Sequence, residues 1–132
     1  MANVVQRLAS AQRALATLEA LAAIPSDAIV RDATIQRFEY SFEAIWKAAQ
    51  AVLLDRYGVE LASPKPVIRG CFENDLLNEA ESRLALAMVD HRNLTSHTYN
   101  EALACEIAAA IPAYRALLRD WLDRLSGVSP ED

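Results

Sequence analysis

The residues from Asp90 to Glu101 read Asp-His-Arg-Asn-Leu-Thr-Ser-His-Thr-Tyr-Asn-Glu, and they carry an arginine, both histidines of the chain and a tyrosine beside a single aliphatic, Leu94. Arg92 offers a planar, permanently charged fork suited to phosphate oxygens. His97 is a side chain that gives and takes a proton near neutrality. Together they fit cleavage of RNA, in which the ribose 2′-hydroxyl attacks the adjacent phosphorus. The imidazole then acts as general acid or base, and the guanidinium stabilises charge on the phosphoryl oxygens. One imidazole cannot easily serve both the attacking and the leaving oxygen, so a symmetric dimer presenting two copies of the pocket to one groove would complete the chemistry. The same residues also fit a plainer role, with Arg92 capping the carboxyl end of its helix and His97 satisfying backbone groups in a loop.

Five residues at about 100° each would point Arg92 and His97 about 140° apart on one continuous helix. A helix must therefore end between them if they act together. Asn93, Thr95 and Ser96 are cap and turn formers, which puts Arg92 in the last turn of a helix and His97 just beyond it.

The elements that must position this stretch are helical. The chain has 132 residues, with glycine and proline scarce and alanine and leucine abundant, which predicts one all-α domain over 1–132 with a frayed tail at 126–132. An amphipathic helix is expected from Val4 to Ala22, ended by Pro25. Ser26 and Asp27 then supply cap oxygens for a long helix to Tyr57, whose apolar face includes Ile35, Phe38, Phe42, Ile45, Trp46, Ala49, Val52 and Leu53. Gly58 stops it. Ser63-Pro64 opens a short helix through Val67, Ile68 and Phe72, which Asn74-Asp75 breaks. A fourth helix runs from Leu76 or Asn78 to His91, and a fifth from after Asn100 to Leu125, closed by Gly127. Pro112 predicts a kink in the fifth, or two helices meeting there. Four or five helices with short connections pack most simply as an up-and-down bundle.

Composition narrows the function. The net charge of −5 argues against tight sequence-independent binding to nucleic acid, so that only a local basic spot could meet RNA. Cys71 and Cys105 have no metal-ligand spacing and read as buried or half-buried free thiols. Neither a metal nor a cofactor is expected. Charged residues interrupt every apolar run, and Arg7 and Arg13 interrupt the first segment, so neither a membrane span nor a signal peptide is expected and a cytoplasmic location is. Trp46, Trp121, Phe38 and Phe42 have the spacing of core residues, not of a base-stacking platform. Glu43 and Lys47 read as an exposed helix pair, His91 as a helix-end residue beside Met88, and Asp90 as a neighbour that orients Arg92 or caps nothing.

Arg92-Asn93-Leu94-Thr95-Ser96-His97-Thr98-Tyr99 resembles the R-x4-H-x-Y motif of HEPN-domain proteins of the HepT type, also described as nucleotidyltransferase substrate-binding proteins. The segment Gln36 to Lys47 resembles that family's long second helix, and Ser63 to Arg69 its short third one, so the resemblance covers roughly residues 35 to 105. It implies a dimeric helical bundle that acts as a ribonuclease toxin beside a minimal nucleotidyltransferase antitoxin. By motif position Arg92 and His97 would be the catalytic pair, Asn93 a supporting polar residue, and Tyr99 the hydroxyl to which the partner transfers AMP. The alternative is a non-catalytic subunit that holds a nucleotide or substrate for the nucleotidyltransferase.

Overall fold

The computed structural model describes residues 2–127. They form α1 (Ala2–Ala20), α2 (Ala28–Tyr57), α3 (Pro64–Glu73), α4 (Glu79–Arg92) and α5 (Glu101–Leu125), with 3₁₀ turns at Leu21–Ala23 and Thr95–His97. Among the described residues there is no strand. The tail beyond Gly127, where fraying is expected, lies outside the described residues.

Local chemistry sets most boundaries. Asp27 alone caps α2, its carboxylate accepting from Val30 N at 2.8 Å. Gly58 ends that helix in the left-handed region at φ 66°, a conformation that costs a residue without a Cβ little. Asn78 and Glu81 form a reciprocal capping box at the start of α4, so that helix begins at Glu79 and not at Leu76. Asn100 caps α5 through Leu103 N at 3.1 Å.

The helix α5 continues unbroken through Pro112 from Glu101 to Leu125, which excludes two helices meeting at the proline. Proline forfeits one helical hydrogen bond and clashes with the preceding turn, at a cost of about 3 kcal/mol. Ile107, Ile111, Tyr114, Leu117, Leu118 and Trp121, all buried on the same helix, offset it. Each fully buried aliphatic or aromatic side chain contributes about 1.5–3 kcal/mol.

The bundle is built on α2, which packs against α1, α3 and α5; α4 closes the assembly against α3 and α5. Leu15 and Leu18 of α1, Phe38, Phe42 and Ile45 of α2, Ile68 of α3, Met88 of α4 and Ile107 and Trp121 of α5 are fully buried in one continuous core. The aromatic residues Phe38, Phe42, Trp46 and Trp121 are thus core, as their spacing predicts. Phe72 is not. It is 43 % exposed, because α3 buries Val67, Ile68 and Cys71 and Phe72 falls on the rim of that stripe. Gly70 lets α3 approach α2 closely: a Cβ there would meet Leu61 Cδ1 at 2.9 Å and Leu53 Cδ1 at 3.0 Å. No helix among the described residues is long and apolar enough to cross a membrane.

Candidate functional site

The polar stretch folds as a helix end, one 3₁₀ turn and a helix start. Arg92 is the last residue of α4, and Asn93 is its C-cap, exposed, with its N–H donating to Val89 O at 3.0 Å. The chain turns through Leu94, whose carbonyl accepts from His97 N at 3.0 Å, and His97 O accepts from Asn100 N at 3.1 Å. The helix therefore ends between Arg92 and His97, as their use on one face requires. These short-range backbone bonds give the turn a defined path although Leu94, Ser96 and His97 are exposed.

Arg92 is fixed from α2. Its Nε donates to Glu43 Oε1 at 2.6 Å, and Trp46 Nε1 donates to Glu43 Oε2 at 3.3 Å. Both partners of the ion pair are about two-thirds shielded, with side-chain exposures of 31 % and 29 %. Only Nε is used in this pair, and Nη1 and Nη2 have no hydrogen-bond partner among the described residues. A guanidinium held by one edge with its terminal nitrogens free is suited to a phosphate. Thr95, buried beneath the turn, places its hydroxyl within reach of both the Glu39 carboxylate and Arg92 O, the latter at 2.8 Å. Its single proton serves one of the two at a time.

His97 and Tyr99 are brought together on the outside, their rings edge to face with centroids 6.0 Å apart and planes at 72°. His97 is exposed, and among the described residues neither of its ring nitrogens has a hydrogen-bond partner. Tyr99 is 82 % exposed, the most open of the large hydrophobic side chains in this part of the chain. No hydrogen bond joins Arg92 directly to His97 among the described residues. Of the plainer role, Arg92 does lie as a cation in the last turn of α4, although its guanidinium bonds a carboxylate and not helix carbonyls, while the His97 ring satisfies no backbone group among the described residues.

Three neighbours differ from expectation. Glu43 serves Arg92 and Trp46, not Lys47, because the nearer α4 end offers a shielded cation where Lys47 points into solvent. Asp90 pairs with Lys65 of α3 at 3.0 Å and does not orient Arg92. His91 is no idle helix end: Nδ1 lies 2.6 Å from Tyr114 Oη, and Nε2 lies 2.9 Å from Glu106 Oε2. With Nε2–H donating to the carboxylate, Nδ1 accepts from the Tyr114 hydroxyl, a tautomer assigned from these partners. Burial pushes the pKa of the Tyr114 phenol above its ordinary value, and the nearby charges of Asp90 and Glu106 add to the effect.

Glu39, Glu43, Thr95 and the Tyr114–His91–Glu106 chain do not stand out as a group in the sequence. The spacing of Glu39 and Glu43, four apart beside the core residue Trp46, is the one local signal that points there. As for the thiols, Cys71 is buried and its pKa is pushed up to about 11 by desolvation, whereas Cys105 is exposed. No group of three or more His, Cys, Asp or Glu side chains is placed to hold a metal ion among the described residues.

The described residues form five α-helices with the polar stretch gathered where α4 gives way to α5. Residues 6–127 match the family described as nucleotidyltransferase substrate binding protein like, and the chain belongs to that family. A Thermus thermophilus protein of known crystal structure is 54 % identical, with a TM-score of 0.84 over 87 % of this chain and 98 % of that one. The Haemophilus influenzae protein HI0074, whose structure is described as revealing the fold of a substrate binding domain of a nucleotidyltransferase, superposes with a TM-score of 0.66 over 93 % of this chain and 96 % of that one. At 20 % identity the second likeness is one of fold. The chain matches none of the curated proteins.

Proposed function

We propose that this chain is a HepT-like toxin, a metal-independent endoribonuclease of the cytoplasm that a partner minimal nucleotidyltransferase neutralises by transferring AMP to Tyr99. The observation that carries the reading is the helix break, which leaves Arg92 anchored through Nε and sets an exposed His97 on the next turn, with both Nη groups and the imidazole free of partners among the described residues. The 2′-hydroxyl attacks phosphorus as His97 of one subunit takes its proton. The 5′-oxygen leaves with a proton from the second copy of His97, giving a 2′,3′-cyclic phosphate. Arg92 neutralises the phosphoryl oxygens, and Asn93, exposed at the helix end, adds a polar contact. A homodimer supplies the two histidines.

The family description and the 82 % exposure of Tyr99 support control by a nucleotidyltransferase. In that step Tyr99 Oη attacks the α-phosphorus of ATP, pyrophosphate leaves, and the phenolic proton passes to solvent. The new phosphodiester places bulk and negative charge beside His97. The family description also favours a second reading, a non-catalytic subunit that presents a nucleotide or substrate to the partner enzyme. Expression without the partner separates the two. A nuclease arrests growth and the purified dimer cuts RNA, both abolished in His97→Ala, whereas intact RNA and harmless wild type leave the binding subunit. Mass spectrometry after incubation with partner and ATP should show added AMP on wild type and none on Tyr99→Phe.

A further inference from the structure

A groove runs along the outside of α1 and α2 and opens beside the Arg92 anchor. One wall is formed by Asn3, Gln6, Arg7 and Ser10, spaced i, i+3, i+4, i+7 along α1. The facing wall repeats that spacing on α2 with Tyr40, Glu43, Ala44 and Lys47. Two helices thus present one polar stripe each to a shared cavity of about 440 Å³. A second cavity of about 660 Å³ shares Asn3 and Arg7 with the first and carries the groove on past Gln50 to the chain after α2.

The first cavity is locally basic in an acidic chain, with Arg7 and Lys47 against Glu43. Glu43, the only acid lining the first cavity among the described residues, is already paired with Arg92. Among the described residues no carboxylate lies within ion-pair distance of Arg7 or Lys47, a state they share with Arg13, Arg37, Arg56, Arg69 and Arg115; Arg7 and Lys47 are the two that face one another across a cavity. Glu60, at the far end, is the one acid of the second cavity among the described residues. Two unpaired cations, two amides and a hydroxyl therefore line a concave strip in a protein of net charge −5. Tyr40, 40 % exposed and tethered through its hydroxyl to Thr17, presents an aromatic face at the same wall.

We propose that this groove is the track for the single RNA strand that flanks the phosphate held at Arg92. The inference rests on the nuclease reading and names where its substrate lies. Arg7 and Lys47 take backbone phosphates, the amides of Asn3 and Gln6 meet sugar and base edges, and Tyr40 stacks a base. The groove's two joined cavities suit a strand better than one mononucleotide. It is also the local basic spot that an acidic chain needs to hold RNA.

The test measures binding of a short single-stranded RNA, 2′-O-methylated throughout so that it cannot be cut, against salt concentration. Arg7 and Lys47 sit on the surface of helices, so Arg7→Gln with Lys47→Gln should keep the native circular dichroism. The pair is expected to weaken binding and to flatten the plot of log K against log salt by about 0.7 for each phosphate no longer neutralised, about 1.4 in all. Arg69→Gln with Arg83→Gln, the same charge change outside the groove, should leave the slope unchanged. Equal curves for the two double variants overturn the proposal, as does a groove variant that loses its hold on the nucleotidyltransferase while binding RNA normally. Cleavage of unmodified RNA is followed in parallel. If His97→Ala stops cutting while the groove variant binds as wild type, the groove assignment falls and the nuclease stands. If wild type binds through the groove and cuts nothing, the nuclease reading falls and the RNA track stands.

Discussion

The two histidines lie six residues apart in sequence and stand in opposite surroundings. His91, on α4, has both ring nitrogens engaged, by Tyr114 and Glu106 of α5, and is largely shielded. His97, on the turn, has neither engaged among the described residues and faces solvent beside Tyr99. A satisfied imidazole ties one helix to another, and its proton is committed to that task. An unsatisfied one on a backbone-fixed turn is free to exchange a proton with a ligand. On the proposed reading the polar stretch is part scaffold and part chemistry, with the division falling at Arg92.

Exchanging alanine for each histidine tests this division most severely. His97→Ala should lower the rate of RNA cleavage by about 10²–10⁴, the usual contribution of a general acid or base, and leave the melting temperature within a degree or so of wild type. His91→Ala should do the reverse, since it strands the Tyr114 hydroxyl: a loss of about 1–3 kcal/mol in denaturant unfolding with cleavage largely kept. A stable His91→Ala protein that no longer cuts would erase the contrast.

Glu43→Gln sharpens the boundary itself. A glutamine keeps the acceptor for Trp46 Nε1 but removes the charge that holds Arg92. The expected result is a loss of about 1 kcal/mol in stability, together with a several-fold slower cleavage because Arg92 loses its anchor. Unchanged kinetics would reduce Glu43 to a structural partner.

The smallest effect lies in alkali. Burial raises the Tyr114 value above the 10.0 of a free phenol, so the folded state holds that proton more tightly than the unfolded chain. The stability due to the neutral phenol is fully present below about 10 and is lost as pH rises through the raised folded value. Thermal melts should show this decline in wild type and in His97→Ala, and a shallower one in Tyr114→Phe. Identical alkaline limbs would place the Tyr114 hydroxyl outside the His91 network.

Most of the scaffold is readable in the sequence because its signals are local. Asp27, Asn78 and Asn100 cap the helices they precede, Gly58 terminates α2, and the apolar spacing of Phe38, Phe42 and Trp46 marks the buried face. The break between Arg92 and His97 follows from turn formers and helix geometry alone. What the sequence conceals is tertiary. Glu43 lies four residues from Lys47 and far from Arg92, so a local rule chooses the wrong partner, and the same holds for Asp90 with Lys65. The intrinsic cost of Pro112 predicts an interruption, whereas burial on both sides of it keeps α5 whole. The groove is invisible in the sequence because Arg7 and Lys47 stand on different helices, and each alone is an ordinary surface cation.

Glu43 and Arg92 are 49 residues apart along the chain, and the stretch between them includes all of α3. Closing so long a loop is entropically unfavourable, so this pairing depends on the non-local helix packing that brings α4 to α2. An arginine oriented from another helix keeps its orientation only while α4 stays docked, so local opening of α4 would release the guanidinium proposed to meet phosphate before the rest of the bundle unfolds.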